Sequence, residues 1–227
     1  MTQNPSTGTP DDIAPRGALQ VEHGLDWRWE RKGASDAFAW ATCQTTKFLA
    51  DRFFRTRYGS RAVMLETIAA VPGMVASTFN RLSDIRDTVT RRPHNYSRSD
   101  TLYEESKNEL MHLKTFIEIT QPSFAEKALV FGAQLAFFGA FSALYLAHRR
   151  TAHRLVGFIE EEAVNSYSNY LQQVDEGRVE NVAAPEIARK YWSLSPDARL
   201  RDVIIAVRDD EAEHRDVNHR IAAELAL

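Results

Sequence analysis

Two Glu-x-x-His pairs, Glu109-Leu110-Met111-His112 and Glu211-Ala212-Glu213-His214, constrain this 227-residue chain more than any other feature. Each lies where apolar residues recur three and four apart, so the spacing sets a carboxylate and an imidazole on one helical face, one turn apart. Four-helix bundles that hold two metal ions draw one such pair from each of two helices and a lone Glu from each of the other two. The pattern therefore requires two further inward glutamates.

Glu66 is the only charge between Arg61 and Arg81. A carboxylate in so apolar a stretch costs several kcal/mol to desolvate unless a partner or a metal receives it. The second comes from Glu160-Glu161-Glu162, where successive side chains point ~100° apart and one alone centres on an inward stripe. Glu160 shares its face with His153, Val156, Ala163 and Tyr167, whereas Glu161 aligns with Gly157, Asn165 and Ser168. The order Glu66, Glu109/His112, Glu160, Glu211/His214 is one pattern used twice. Four buried carboxylates would repel one another and take up protons unless positive charge sat among them, and two ferrous ions bring the sum to zero. Oxygen and nitrogen donors suit iron or manganese better than a closed zinc site. A single cysteine, Cys43, excludes an intrachain disulfide and a cysteine-ligated cluster.

From about Ser35 onward glycine and proline are sparse and the helical period dominates, so the fold expected is all-α: a ferritin-like di-iron four-helix bundle with two additional membrane-facing helices. Breakers near Tyr58-Gly59, Arg92-Pro93, Gln121-Pro122, His148 to Thr151, Glu176-Gly177 and Ser195-Pro196 divide it into about six long helices and short pieces, with Pro72-Gly73 set to kink the second helix. Residues 1–34 read as a flexible N-terminal polar arm and residues 35–227 as one di-iron helical-bundle domain. With 28 basic against 31 acidic residues, the chain lacks the basic excess of a nucleic-acid binder, and no nucleic acid is expected as partner. Residues 128–147 carry no charge and, at ~1.5 Å per residue, are long enough to cross a bilayer. Spanning would place the six ligands and Glu105, Lys107, Glu161 and Glu162 near mid-membrane, where charge is costly. This helix and the aromatic, basic segment 36–58 are instead expected to sink into one leaflet, with Arg52, Arg55, Arg149 and Arg150 reaching headgroups.

The strings LETIAAVPGMV around Glu66, NELMHL around Glu109, IEEEAVNSY around Glu160 and RDDEAEHRDVNH around Glu211 resemble the four signature blocks of the alternative oxidases, over about Phe48 to His219. The resemblance implies a non-haem di-iron enzyme that oxidises ubiquinol and reduces dioxygen to water without pumping protons, as a homodimer on one leaflet. It places the iron ligands on the same six residues and the redox tyrosine on Tyr167. It also implies a quinol pocket at Arg61, Leu65, Glu162, Ala163 and Ser166 and an outer shell of Asn108, His153, Trp192 and Asp210; because electron removal acidifies a quinol hydroxyl, Glu162 or a nearby carboxylate is expected to take its protons. Departures are Leu110 for the usual Arg, Ile159 for Leu, Ser166 for Thr and Asp209 for Ala. With Cys43 alone in the first helix, thiol regulation is not expected. His23, His94, His148 and His219 are expected on the surface or in packing. The first thirty residues hold no apolar run suited to a signal peptide, and Asp11 and Asp12 fit poorly with a mitochondrial presequence. The expected place is the cytoplasmic side of a bacterial inner membrane, or the matrix side of the mitochondrial one for a mature eukaryotic form. The alternatives are a di-iron hydroxylase acting on a quinone precursor and a ferritin-like iron-handling protein.

Overall fold

The computed structural model describes residues 21–54, 57–92 and 96–226. Among them the helices follow in order as α1 (Gly33–Phe54), α2 (Tyr58–Val89), α3 (Tyr96–Thr120), α4 (Phe124–Ala147), α5 (Arg149–Asp175), α6 (Glu186–Tyr191) and α7 (Leu200–Glu224). Breaks fall where the sequence places them. Pro72 lies inside an uninterrupted α2. After Pro122, α4 opens on a capping box in which Ser123 accepts from the Glu126 amide and Glu126 accepts from that of Ser123. His148 alone separates α4 from α5, closing one helix and accepting from the Thr151 amide to open the next.

The four helices bearing the candidate ligands pair as α2 with α3 and α5 with α7. A glycine marks each close approach. A Cβ on Gly73 would lie 2.9 Å from the Leu102 carbonyl oxygen, and one on Gly157 would lie 2.5 Å from the His219 ring. Helices α1 and α4 pack on α5 and α2, so the side formed by α3 and α7 faces away from them. Two apolar clusters fill the bundle, one around Phe116, Tyr170, Ile204 and Val207, the other around Val71, Leu102, Val156 and Ile221. On every ligand-bearing helix the candidate ligands fall between residues of the two clusters, so the polar centre sits in a dry sleeve.

Both α2 and α4 are long and apolar enough to cross a membrane, but α2 is mostly buried as the core of the bundle. Helix α4 leaves Phe124, Phe131, Leu135 and Phe138 exposed, and α1 does the same with Phe38, Phe48, Leu49 and Phe53. These are the two additional helices.

Two expectations change. The arm is not free throughout: residues 22–29 contact α5 and α7, and residues 1–20 lie outside the described residues. Asp216 accepts from the amides of Glu22 and His23 at 2.7 and 2.9 Å, and buried Arg215 donates to the His23 and Gly24 carbonyls. Trp29 stacks on His219 while the Arg154 guanidinium lies 3.7 Å over its ring. Two tryptophans and paired buried arginines hold what polar composition alone suggests is loose. Arg150, expected to reach headgroups, instead donates to the buried Asp36 at 2.8 Å, where its charge is matched inside the fold. Arg55 and His94 lie outside the described residues.

Candidate metal centre

Glu66 from α2, Glu109 and His112 from α3, Glu160 from α5, and Glu211 and His214 from α7 are all buried. Donor atoms of Glu66, Glu109, His112 and Glu211 lie within 4.8 Å of one another. His112 directs Nδ1 towards Glu66 Oε2 (3.1 Å), Glu211 Oε1 (3.3 Å) and Glu109 Oε2 (3.5 Å). His214 directs Nδ1 towards Glu109 Oε1 (2.7 Å) and Glu211 Oε2 (3.4 Å). Glu109 and Glu211 thus each send one oxygen to each histidine. The cluster has two lobes, one at His112 with Glu66 and one at His214, and the two paired glutamates lie between them; Glu160 is buried close enough to feel the charges of Glu211, Glu109 and His214.

The electrostatics demand positive charge. Burial, with repulsion from Glu211, lifts the carboxyl groups of Glu66 and Glu160 well above the usual range. Burial acts the same way on Glu109, but His214 and His112 outweigh it and hold that group below the range. Both imidazoles are pulled upward: burial opposes this, and Glu66 overcomes it at His112, Glu109 at His214. Both Glu109 oxygens, Glu160 Oε2, Glu211 Oε2 and His214 Nδ1 are buried without an aligned hydrogen bond, the short His214–Glu109 approach included. Buried polar atoms are rarely left so. A cation between the lobes would satisfy all five, and the donor set of carboxylate oxygen and imidazole nitrogen fits first-row metals such as iron or manganese.

The candidate outer residues divide. Asp210 Oδ2 meets His112 Nε2 at 3.1 Å and accepts from Asn108 Nδ2 and Trp192 Nε1, both at 2.8 Å. This sets the proton on Nε2 and leaves the Nδ1 lone pair facing the centre. His153 lies one step further away, with Nδ1 2.9 Å from Asn218 Oδ1, while Asn218 Nδ2 donates to the His214 carbonyl and to Glu105. Tyr167 shares a helical face with Glu160, yet its hydroxyl donates to Glu66 across the bundle. Burial and the Glu66 charge push its phenol well above the usual value, so it is neutral.

A narrow cavity of about 50 Å³ between α1, α2 and α5 reaches Glu66, Glu160 and Glu211. Arg61, Leu65, Glu162 and Ala163 line it; Ser166 is not among the lining residues. Glu162 accepts from Gln44 at 2.9 Å, and Asp51 pairs with both Arg61 and Lys47. Cys43 also lines the cavity; burial pushes its thiol up, and it donates to the Phe158 carbonyl. Glu161 turns away from the centre, accepting from His219 Nε2 at 3.0 Å and from the Trp29 amide at 2.7 Å. Sequence reasoning missed this network; its visible signal is two tryptophans in an otherwise polar arm and the Arg215-Asp216 pair inside a helical stretch.

Residues 20–223 match the alternative oxidase family. The chain is 47% identical over 226 residues to ubiquinol oxidase 2, mitochondrial, of Nicotiana tabacum, covering 90% of this chain and 75% of that protein. It is 47% identical to ubiquinol oxidase 1, mitochondrial, of Glycine max, covering 91% and 64%. To alternative oxidase 3, mitochondrial, of Glycine max it is again 47% identical, covering 90% and 68%. The fold, the doubled ligand pattern and this similarity over nearly the whole length agree: the chain belongs to the alternative oxidase family.

Proposed function

We propose that the protein is a non-haem di-iron ubiquinol:oxygen oxidoreductase, a membrane-bound terminal oxidase that reduces dioxygen to water without pumping protons. The observation that carries this reading is the juxtaposition of the two-lobed carboxylate–imidazole centre with a mainly apolar cavity opening beside α1. Glu66, Glu109, His112, Glu160, Glu211 and His214 would hold two irons, which when bound supply the site for dioxygen and the means to exchange electrons with it. Asp210, fixed by Asn108 and Trp192, keeps His112 in its ligating tautomer. Tyr167, neutral and hydrogen-bonded to Glu66, is placed to give up an electron and a proton together.

Ubiquinol binds at Arg61, Leu65, Glu162, Ala163 and Ser166. Removing electrons from a quinol acidifies its hydroxyls, and the half-exposed Glu162 carboxylate receives their protons. Dioxygen reduction takes four electrons and a quinol gives two, so two quinols are consumed for each dioxygen. The exposed aromatic faces of α1 and α4 support seating in one leaflet of a respiratory membrane, and exposed Met74, Leu82 and Ile85 along α2 support a homodimer. That leaflet is the cytoplasmic side of a bacterial inner membrane, or its mitochondrial matrix counterpart.

An oxygen electrode with iron-loaded protein and a soluble quinol tests the reading. Sustained uptake that cyanide does not inhibit, at two quinols per dioxygen, is expected. Uptake that stops once the iron is oxidised would establish iron handling instead, and oxygen recovered in the organic product would establish a hydroxylase.

A further inference from the structure

The metal centre has a second opening of opposite chemistry. Between α3 and α7, on the side turned away from α1 and α4, lies a cavity of about 710 Å³ lined by Asp100, Glu104, Glu105, Asn108, Glu213 and His214. His214 is itself a candidate ligand, so this cavity ends at the His214 side of the centre. At the mouth, Asp100 pairs with Arg81 (3.3 Å) and Glu104 with Lys107 (2.9 Å), while the lining cation Arg220 is drawn to Glu22. Deeper in, Glu105 is 8% exposed; its Oε1 accepts from Asn218 at 2.7 Å, and its Oε2 is buried with no partner. Glu105 stands one helical turn before Glu109, on the same face. It is a buried, half-satisfied carboxylate between the cavity and the centre.

We infer that the α3–α7 cavity is the port through which divalent metal ions enter and leave the centre, with Glu105 as the carboxylate that takes them over from water. The inference rests on reading the six residues as metal ligands. The opposite cavity is less suited to this traffic: it is far narrower, and although Glu162 and three candidate ligands line it, a hydrated cation would have to pass Leu65, Ile68, Ala69 and Ile159 and the like charges of Lys47 and Arg61. A carboxylate-lined, solvent-filled cleft concentrates cations and replaces their water stepwise. The two openings divide the traffic, apolar substrate on the α1 side and ions on the α3–α7 side.

A port sets rates and leaves the equilibrium alone, whereas a ligand sets the equilibrium. Reduced, iron-loaded full-length chain is mixed anaerobically with an excess of a coloured ferrous chelator to time release, and the stripped chain is reloaded with ferrous iron to time uptake. Glu105→Gln keeps the acceptor for Asn218 and is expected to slow release and uptake by the same factor, about tenfold, with the final iron content unchanged. Thr101→Phe, which narrows the exposed part of the cavity and keeps the Glu105 carboxylate, is expected to slow both as well, and Glu104→Gln at the mouth to change neither by more than about twofold. Wild-type rates in both Glu105→Gln and Thr101→Phe would overturn the port, and so would a loss of final iron content in Glu105→Gln. If the wild-type chain binds no iron, the metal reading itself fails, a result separate from either of these.

Discussion

The two histidines occupy equivalent places in a doubled pattern, yet their surroundings differ. His112 is fully enclosed, its Nε2 against Asp210 and its ring stacked 5.7 Å from that of Trp192, and its companion Glu66 is tied to Tyr167. His214 lines the large polar cavity, and its nearest outer partner is Asn218, which bonds to its backbone carbonyl. One lobe is locked by charged and aromatic neighbours, and the other borders the α3–α7 cavity through the buried His214. Duplicated ligand spacing thus yields two unlike positions, one built for rigidity beside the tyrosine and one built for access.

Breaking the link between the lobes has the largest effect. Glu109→Ala removes one oxygen from each histidine's surroundings and is expected to lose most iron and all quinol oxidation, read by metal analysis and oxygen uptake. Retained iron in that variant would mean that the lobes bind independently. Tyr167→Phe acts on the locked lobe alone: fold and iron should persist while most turnover disappears, and near-normal turnover would return Tyr167 to packing. Asp210→Asn weakens the acceptor on His112 Nε2 and is expected to lower iron affinity about 10–100-fold, chiefly at that lobe. Equal loss at both sites, followed by iron spectroscopy during titration, would erase the contrast.

Beyond the lobes, the buried His153 links to the open side through Asn218, and burial lowers its pKa to about 4 from 6.5. The unfolded chain therefore binds this proton at a higher pH than the folded one. The stability held above pH 6.5 falls as pH drops towards 4, by about 3 kcal/mol from this residue. Urea midpoints of wild type and His153→Gln across that range should converge as the pH falls; parallel curves would remove His153 as the cause. The smallest effect on the centre is expected from Glu161→Ala. Iron should stay near wild type while stability drops by about 2 kcal/mol, because His219 and the Trp29 amide lose their acceptor. Iron loss from Glu161→Ala with none from Glu160→Ala would reverse the assignment of that helical face.

The all-helical class, most helix boundaries and the candidacy of six buried residues were legible in the sequence; of these, Glu66, Glu109, His112 and Glu211 bring their donor atoms together and His214 meets Glu109. Each rests on a local rule: i, i+3 spacing puts Glu109 with His112 and Glu211 with His214, the helical period selects Glu160 over Glu161, and an apolar run isolates Glu66. The expectations of a redox tyrosine and of a quinol pocket came from family blocks and not from spacing. Tertiary structure decided which carboxylates stand between the histidines, because that depends on how four helices are rotated about their own axes. It turned the Tyr167 hydroxyl to Glu66 on α2, although Glu160 is the neighbour on its own helix. It docked residues 22–29 through Arg215, Asp216 and Trp29, contacts that join residues far apart in the chain and that no local period encodes. It also opened the cleft between α3 and α7, since a cavity belongs to the space between helices and leaves no mark on either one alone.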